Sequence, residues 1–145
     1  QASASVEWLG SDYTYQGINS ALYTWIPVAP TLYAGLRSEY QQVWGDIPFY
    51  LLPFINIRGI PIARYQGTRT FLAETEWRWS AVAFGGGGGA APEDSSFGDA
   101  SWHFSGGAGG RYLLARKLGL RAGLDIARGP EDWAYYIVVG SYWIR

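Results

Sequence analysis

The chain has 145 residues, a formal net charge of -1 and no cysteine, which suits one domain with a core or a small barrel. No cysteine excludes disulfides, thiolate metal sites and thiol nucleophiles, and basic residues scattered singly exclude an electrostatic grip on nucleic acid. Aromatic residues reach 17% and charged residues only 16%, against about 25% charged in ordinary soluble domains, a first hint of contact with lipid.

The chain opens Gln1-Ala2-Ser3 and contains no methionine, as expected of a mature product after signal-peptide removal or of an excised fragment; either fits export. Its longest apolar stretch, Ile47 to Ile57, is 11 residues cut by Pro48 and Pro53, well short of the roughly 20 that a spanning helix needs. Any membrane span must therefore be a β-strand. Alternation and turn signals predict about eight strands, near residues 2–12, 18–28, 31–44, 66–79, 81–87, 99–114, 118–128 and 133–145.

After the first three strands, Gly45 to Tyr65 forms a connection of 21 residues, a length that inside a compact fold is commonly functional. The next strand sets Glu74, Glu76 and Arg78 against Phe71, Ala73, Trp77 and Trp79, one face polar and the other aromatic, as in a membrane barrel with a wet interior. Residues 76–84 hold no Gly, Pro, Asn or Asp, so a tight reversal is placed near Ser80. The run Gly85 to Ala91 reads as a loop start or as more strand, and its composition favours mobility.

Residues 101–114 oppose Trp102, Phe104, Ala108, Tyr112 and Leu114 to Ser101, His103, Ser105, Gly107, Gly109 and Arg111. Residues 118–128 repeat the scheme, with Leu118, Leu120, Ala122, Leu124 and Ile126 against Gly119, Arg121, Gly123, Asp125 and Ala127. One such strand fits a soluble sandwich equally well. The connections favour the barrel: Ala115-Arg116-Lys117 is short, whereas Asp12–Gly17, Gly45–Tyr65 and Gly85–Gly98 are long, the asymmetry of outer-membrane barrels. Trp8, Tyr13, Tyr15, Trp44, Tyr65, Trp79, Trp133, Tyr135, Tyr142 and Trp143 gather near strand ends, where headgroup depth favours amphipathic rings.

Arg58 in Ile57-Arg58-Gly59-Ile60 is the leading site residue. It is either an exposed loop arginine or, if the loop folds inward, a bidentate partner for Glu74 or Glu76. His103 is the only histidine and has no nucleophile motif beside it, so no enzyme, metal or cofactor is expected. Glu131-Asp132 reads as a solvated hairpin tip, and the five consecutive glycines lack the Lys-Ser/Thr tail of a phosphate-binding loop.

Several segments together resemble the C-terminal half of the BamA/TamA superfamily of outer-membrane barrels, the bacterial surface antigen family. They are Pro48-Phe49-Tyr50-Leu51-Leu52-Pro53, Ile57-Arg58-Gly59-Ile60-Pro61, Arg64-Tyr65-Gln66-Gly67, Glu76-Trp77-Arg78 and Gly119-Leu120-Arg121 through Arg145. The resemblance implies an all-β, antiparallel transmembrane β-barrel; the family's barrel has sixteen strands, usually preceded by POTRA domains, and residues 1–145 depart from that by reading as one barrel domain of about eight strands with no POTRA domain. It implies protein assembly or translocation in the outer membrane of a Gram-negative bacterium, with outer-membrane lipid as a partner. In the family the Arg-Gly motif caps an extracellular loop that folds into the barrel, which makes Arg58 the loop-tip arginine and Glu76 its first partner; Glu74, Arg78, Arg121 and Asp125 are further lumen partners. The family often has an Asp on the strand after the Glu-x-Arg strand, where this chain has Phe84-Gly85-Gly86-Gly87. Gly140 and Trp143 fit the family's C-terminal strand signal, although the chain ends in Arg145.

Strand count leaves two architectures. A closed barrel of about eight strands is filled by its own side chains and leaves the long loop outside. A loop folded inward instead requires half of a sixteen-stranded barrel, completed by a second copy or another chain. The functional alternative to assembly or translocation is a small structural or anchoring barrel, or a narrow pore.

Overall fold

Strong alternation along extended segments produces one antiparallel sheet. The computed structural model describes residues 2–5, 14–92, 95, 97–115 and 120–139. Among these, eight strands follow chain order across the sheet: β1 (Ala2–Ser5), β2 (Tyr15–Ala29), β3 (Leu32–Gly45), β4 (Arg69–Arg78), β5 (Ala81–Ala91), β6 (Ser101–Ala115), β7 (Leu120–Arg128) and β8 (Trp133–Val139). Seven antiparallel pairings join them, each strand to its sequence neighbour. β1 and β8 do not pair with each other among the described residues, so the sheet is open and the closed eight-stranded alternative is not what forms.

Two-residue turns lie at one end of the sheet, and the long connections share the other end with the four-residue β7–β8 turn. Pro30-Thr31 turns β2 into β3, and Trp79-Ser80 turns β4 into β5 with the Trp79 N–H donating to the Ala81 carbonyl at 2.8 Å. The reversal expected at Ser80 therefore forms without a turn-forming residue. Residues 46–68 and 92–100 connect strands at the other end.

Register fixes what each face carries, because residues directly opposite in an antiparallel pair share a face. One set runs Arg37, Glu74, Gly86 and Ser105; the next runs Gly35, Glu76, Phe84, Gly107 and Ala127. Ile55, Ile57, Arg58, Gly59 and Ile60 of the long connection pack on this inner face. Leu36, Trp77, Phe104, Leu124 and Ile137 occupy the outer one, and each is more than two-fifths exposed.

The glycine run is a correction. Gly85 to Gly89 are strand, within β5, rather than a mobile loop. Their missing side chains make room on both faces. A Cβ at Gly88 would come within 2.8 Å of Ile55 Cγ2 of the loop, and one at Gly87 within 2.5 Å of the Phe104 ring, which lies across it on the outer face. Composition suggests flexibility, but pairing on both sides of β5 and aromatic cover over glycine restore order.

The aromatic residues divide. Trp44 and Trp133 are 39% and 60% exposed near strand ends beside the long connections. Tyr65 instead turns inward and stacks on His103 with ring centroids 3.4 Å apart. Trp8, Tyr13, Tyr142 and Trp143, together with Gly140, lie outside the described residues.

Candidate functional site: an arginine held in carboxylates under a folded-in loop

Residues 53–67 fold as a small hairpin of their own. The Ile55 N–H donates to the Tyr65 carbonyl at 3.1 Å, Gly67 N–H to the Pro53 carbonyl at 3.1 Å, and Phe54 bridges Gln66. At its tip the Ile60 N–H donates to the Ile57 carbonyl at 3.1 Å. That turn places all four motif residues, Ile57, Arg58, Gly59 and Ile60, in buried positions against the sheet. Ile55, Ile57 and Ile60 pack on Leu72 of β4, with Tyr65 and Ala90 alongside. Full burial of each isoleucine stabilises the docked hairpin by about 2 kcal/mol before the entropy of ordering the loop is counted.

Gly59 lets the tip come this close. Its φ of +91° is left-handed, a region that a side chain disfavours, and an added Cβ would crowd Ala127, Ser105 and Gly129 at 3.2 Å each. Gly129 reciprocates, since a Cβ there would lie 1.8 Å from the Gly59 carbonyl oxygen. The Gly59 N–H donates to the Tyr136 hydroxyl at 2.7 Å, and the Ser105 hydroxyl donates to the Arg58 carbonyl at 2.6 Å. The buried backbone polar groups at the tip are thereby paired with β6 and β8.

The Arg58 guanidinium then meets three carboxylates from two strands. Nε donates to Glu74 Oε1 at 3.0 Å, Nη2 to Glu76 Oε2, and Nη1 to Asp125 Oδ2 at 3.1 Å. The Arg58, Glu74, Glu76 and Asp125 side chains are all 0% exposed. Below the guanidinium plane lies Phe84, its ring centroid 3.6 Å from Cζ, a desolvated cation–π contact of about 2 kcal/mol. Phe84 brings no charge from β5, and Asp125, two strands further on β7, supplies the third carboxylate.

Each carboxylate also has a second arginine. Arg37 Nη1 reaches Glu74 Oε2 at 3.4 Å and its Nε donates to Glu39 at 2.9 Å. Arg78 Nε donates to Glu76 Oε1 at 3.2 Å, and Arg111 holds Asp125 with both terminal nitrogens. The cluster thus comprises Arg37, Arg58, Arg78 and Arg111 with Glu39, Glu74, Glu76 and Asp125, four charges of each sign. Balanced charge and forked hydrogen bonding are what make buried ions tolerable.

Of the residues expected to meet Arg58, the structure brings together Glu74, Glu76 and Asp125, with Arg78 one step further out. Arg121 departs from that expectation. It shares the inner face of β7 with Asp125 but is exposed, and it has no ion-pair partner among the described residues. Arg37, Glu39, Arg111, Tyr136 and Phe84 were not expected in the cluster. Alternation puts Arg111 on the polar face of its strand, yet only the pairing Gly109↔Asp125 and Arg111↔Gly123 sets it diagonally against Asp125.

A second set of contacts ties the loop to the β7–β8 turn. Arg64 Nε and the Tyr65 hydroxyl both donate to Glu131 Oε1, at 2.8 and 2.7 Å. The tip expected to be merely solvated is therefore bonded, although exposed. Hydrogen bonds from Arg64 and then Tyr65 hold the Glu131 carboxyl below its usual range, and the Glu131 bond raises Tyr65 above its own.

Among the described residues no group of three or more His, Cys, Asp and Glu side chains is arranged to hold a metal ion. Chemically, the cluster can anchor a loop by charge and can obstruct passage along the inner face. No family model, curated protein or solved structure matches the chain.

Proposed function

We propose that this chain is part of an outer-membrane β-barrel, resembling the BamA/TamA family of Gram-negative bacteria, in which the Arg58 loop braces and gates the lumen during insertion or passage of protein or lipid. The observation that carries the reading is Arg58 itself: a loop-tip arginine fully buried among Glu74, Glu76 and Asp125, on a sheet whose opposite face exposes hydrocarbon from β2 to β8. A wet, charged interior and a greasy exterior are the membrane-barrel arrangement.

The loop also bears on barrel size. Eight strands closed on themselves enclose only their own side chains, whereas this inner face accommodates a whole hairpin. The sheet is open at β1 and β8, and unpaired strand edges in hydrocarbon are prohibitively costly. Both features favour a larger barrel, in which a second copy or another chain supplies the remaining strands and lipid covers the outside.

The balance of four arginines against four carboxylates favours a second reading, a structural or anchoring barrel in which the loop is a permanent plug. Lipid scrambling and conductance in vesicles separate the two. The gating reading expects activity that changes severalfold in Arg58→Ala; equal activity in the native and variant proteins removes Arg58 from the mechanism. Mass measurement in detergent tests assembly: a mass of two chains or a mixed complex is expected. A folded, detergent-free monomer would refute the membrane barrel.

A further inference from the structure

At the short-turn end of the sheet, adjoining the Arg58 cluster at Arg78, the inner face holds a half-open cavity of about 700 Å³, within the roughly 300–1,000 Å³ of small-molecule sites. Trp25 of β2, Tyr33 of β3, Arg78 of β4, Trp79 and Ser80 of the β4–β5 turn and Arg121 of β7 line it. Among the described residues no carboxylate does. The sheet curls enough for β2 and β7 to contribute opposite walls.

The charges within the cavity are unequal. Arg78 gives its positive charge to Glu76 and lays its guanidinium over Trp25, with Cζ 4.6 Å from the ring centroid. Arg121 has no ion-pair partner among the described residues, and neither Tyr33, 45% exposed, nor Trp79, 40% exposed, is covered. A guanidinium with no carboxylate against it among the described residues, beside two uncovered aromatic walls, complements one negative charge attached to an apolar body. We infer that this cavity is a binding site for a small amphiphilic monoanion, whose carboxylate pairs with Arg121 while its planar or hydrocarbon body lies against Trp79 and Tyr33. The site shares Arg78 with the Arg58 cluster but binds through Arg121 and does not depend on the loop acting as a gate.

Titration of the folded protein in a non-ionic detergent with 2-naphthoate, followed by calorimetry, tests the site. The neutral 2-naphthalenemethanol and inorganic phosphate serve as controls for the body alone and the charge alone. Saturable naphthoate binding is expected, weakened about tenfold in Arg121→Gln, as loss of one charge-assisted pair implies, and largely retained in Arg121→Lys. Trp79→Ala should weaken it by a similar factor. The alcohol should bind the native and Arg121→Gln proteins alike, and phosphate at equal concentration should not displace naphthoate. Equal naphthoate affinity in the native and Arg121→Gln proteins overturns the proposal, as does full displacement by phosphate. A heat-modifiable gel band in every variant shows that the barrel is folded, so absent binding with that band intact counts against this site and not against the barrel.

Discussion

Along β4, Glu76 is fully buried while its neighbour Trp77 is 42% exposed; along β7, Asp125 is fully buried and Leu124 is 53% exposed. The two faces of one sheet thus invert what water rewards, because hydrocarbon gains by leaving water and unpaired charge loses by it. The inner face tolerates the inversion through the Arg58 cluster, where each buried carboxylate has at least one guanidinium. On the outer face the described side chains stay uncovered: Ile137 is 85% exposed, Phe104 68% and Leu22 57%. Exposed apolar surface on this scale marks contact with a membrane or another protein, and its spread over β2, β3, β4, β6, β7 and β8, with only the small residues of β5 contributing none, suits a lipid band better than one docking patch.

The comparison breaks most visibly at Arg58. Arg58→Ala leaves Glu74, Glu76 and Asp125 with fewer cations in a dry setting and should destabilise the fold by about 3–5 kcal/mol, read as a lower midpoint of urea unfolding in detergent. Arg58→Lys should recover little, since an ammonium cannot address three carboxylates in the fork geometry that Nε, Nη1 and Nη2 provide. A midpoint unchanged in both variants would show that the loop does not dock.

The opposite face gives the next effect. Leu124→Arg places a charge in the outer band, costing about 2–4 kcal/mol at bilayer mid-depth; on a water-facing surface the same change stays within about 0.5 kcal/mol. Unfolding from lipid vesicles measures the difference, and a near-zero shift there would sink the membrane setting. A paired change sharpens the contrast further. Phe84→Leu removes the ring under the Arg58 guanidinium and should cost about 2 kcal/mol, while Phe104→Leu on the outer face should cost less than about 1 kcal/mol.

Much of this arrangement is legible in the sequence because a period of two is a local property. The strand positions, as far as the described residues reach, and both polar registers, Glu74-Glu76-Arg78 and Arg121 to Ala127, follow from alternation alone; Gly119 lies outside the described residues. What alternation cannot supply is register between strands. Arg111 and Asp125 are 14 residues apart and meet only because β6 and β7 pair with Gly109 opposite Asp125. The glycine run misleads for a related reason: flexibility is what Gly85 to Gly89 have in isolation, whereas Phe104 and Ile55, which occupy the space they leave, arrive from distant parts of the chain. Arg121 misleads differently. Its face is right, but it stands four residues from Asp125, about 13 Å along β7, and which stretch of that face the loop tip meets is set by long-range docking that no single strand encodes.

The smallest predicted effect concerns the seam between the docked loop and the sheet. Arg64 and Tyr65 hold Glu131 from the exposed side, and this surface bond contributes modestly beside the buried cluster. Because the Glu131 pKa is lowered from the ordinary 4.5, the carboxylate's contribution is fully present above about that pH and disappears as pH falls through the lowered value. Tyr65, raised from 10.0, loses its contribution only as pH climbs above about that value. The latch should hold between those limits while the Arg58 cluster remains closed. The chain has no cysteine of its own, so spin labels at Ile62→Cys and Asp132→Cys report the seam cleanly. Their distance distribution should broaden as pH drops below about 4.5, and Glu131→Gln should reproduce much of that broadening at pH 7. Identical distributions across the acid range and in the variant would show that the loop is held by Arg58 and its carboxylates alone.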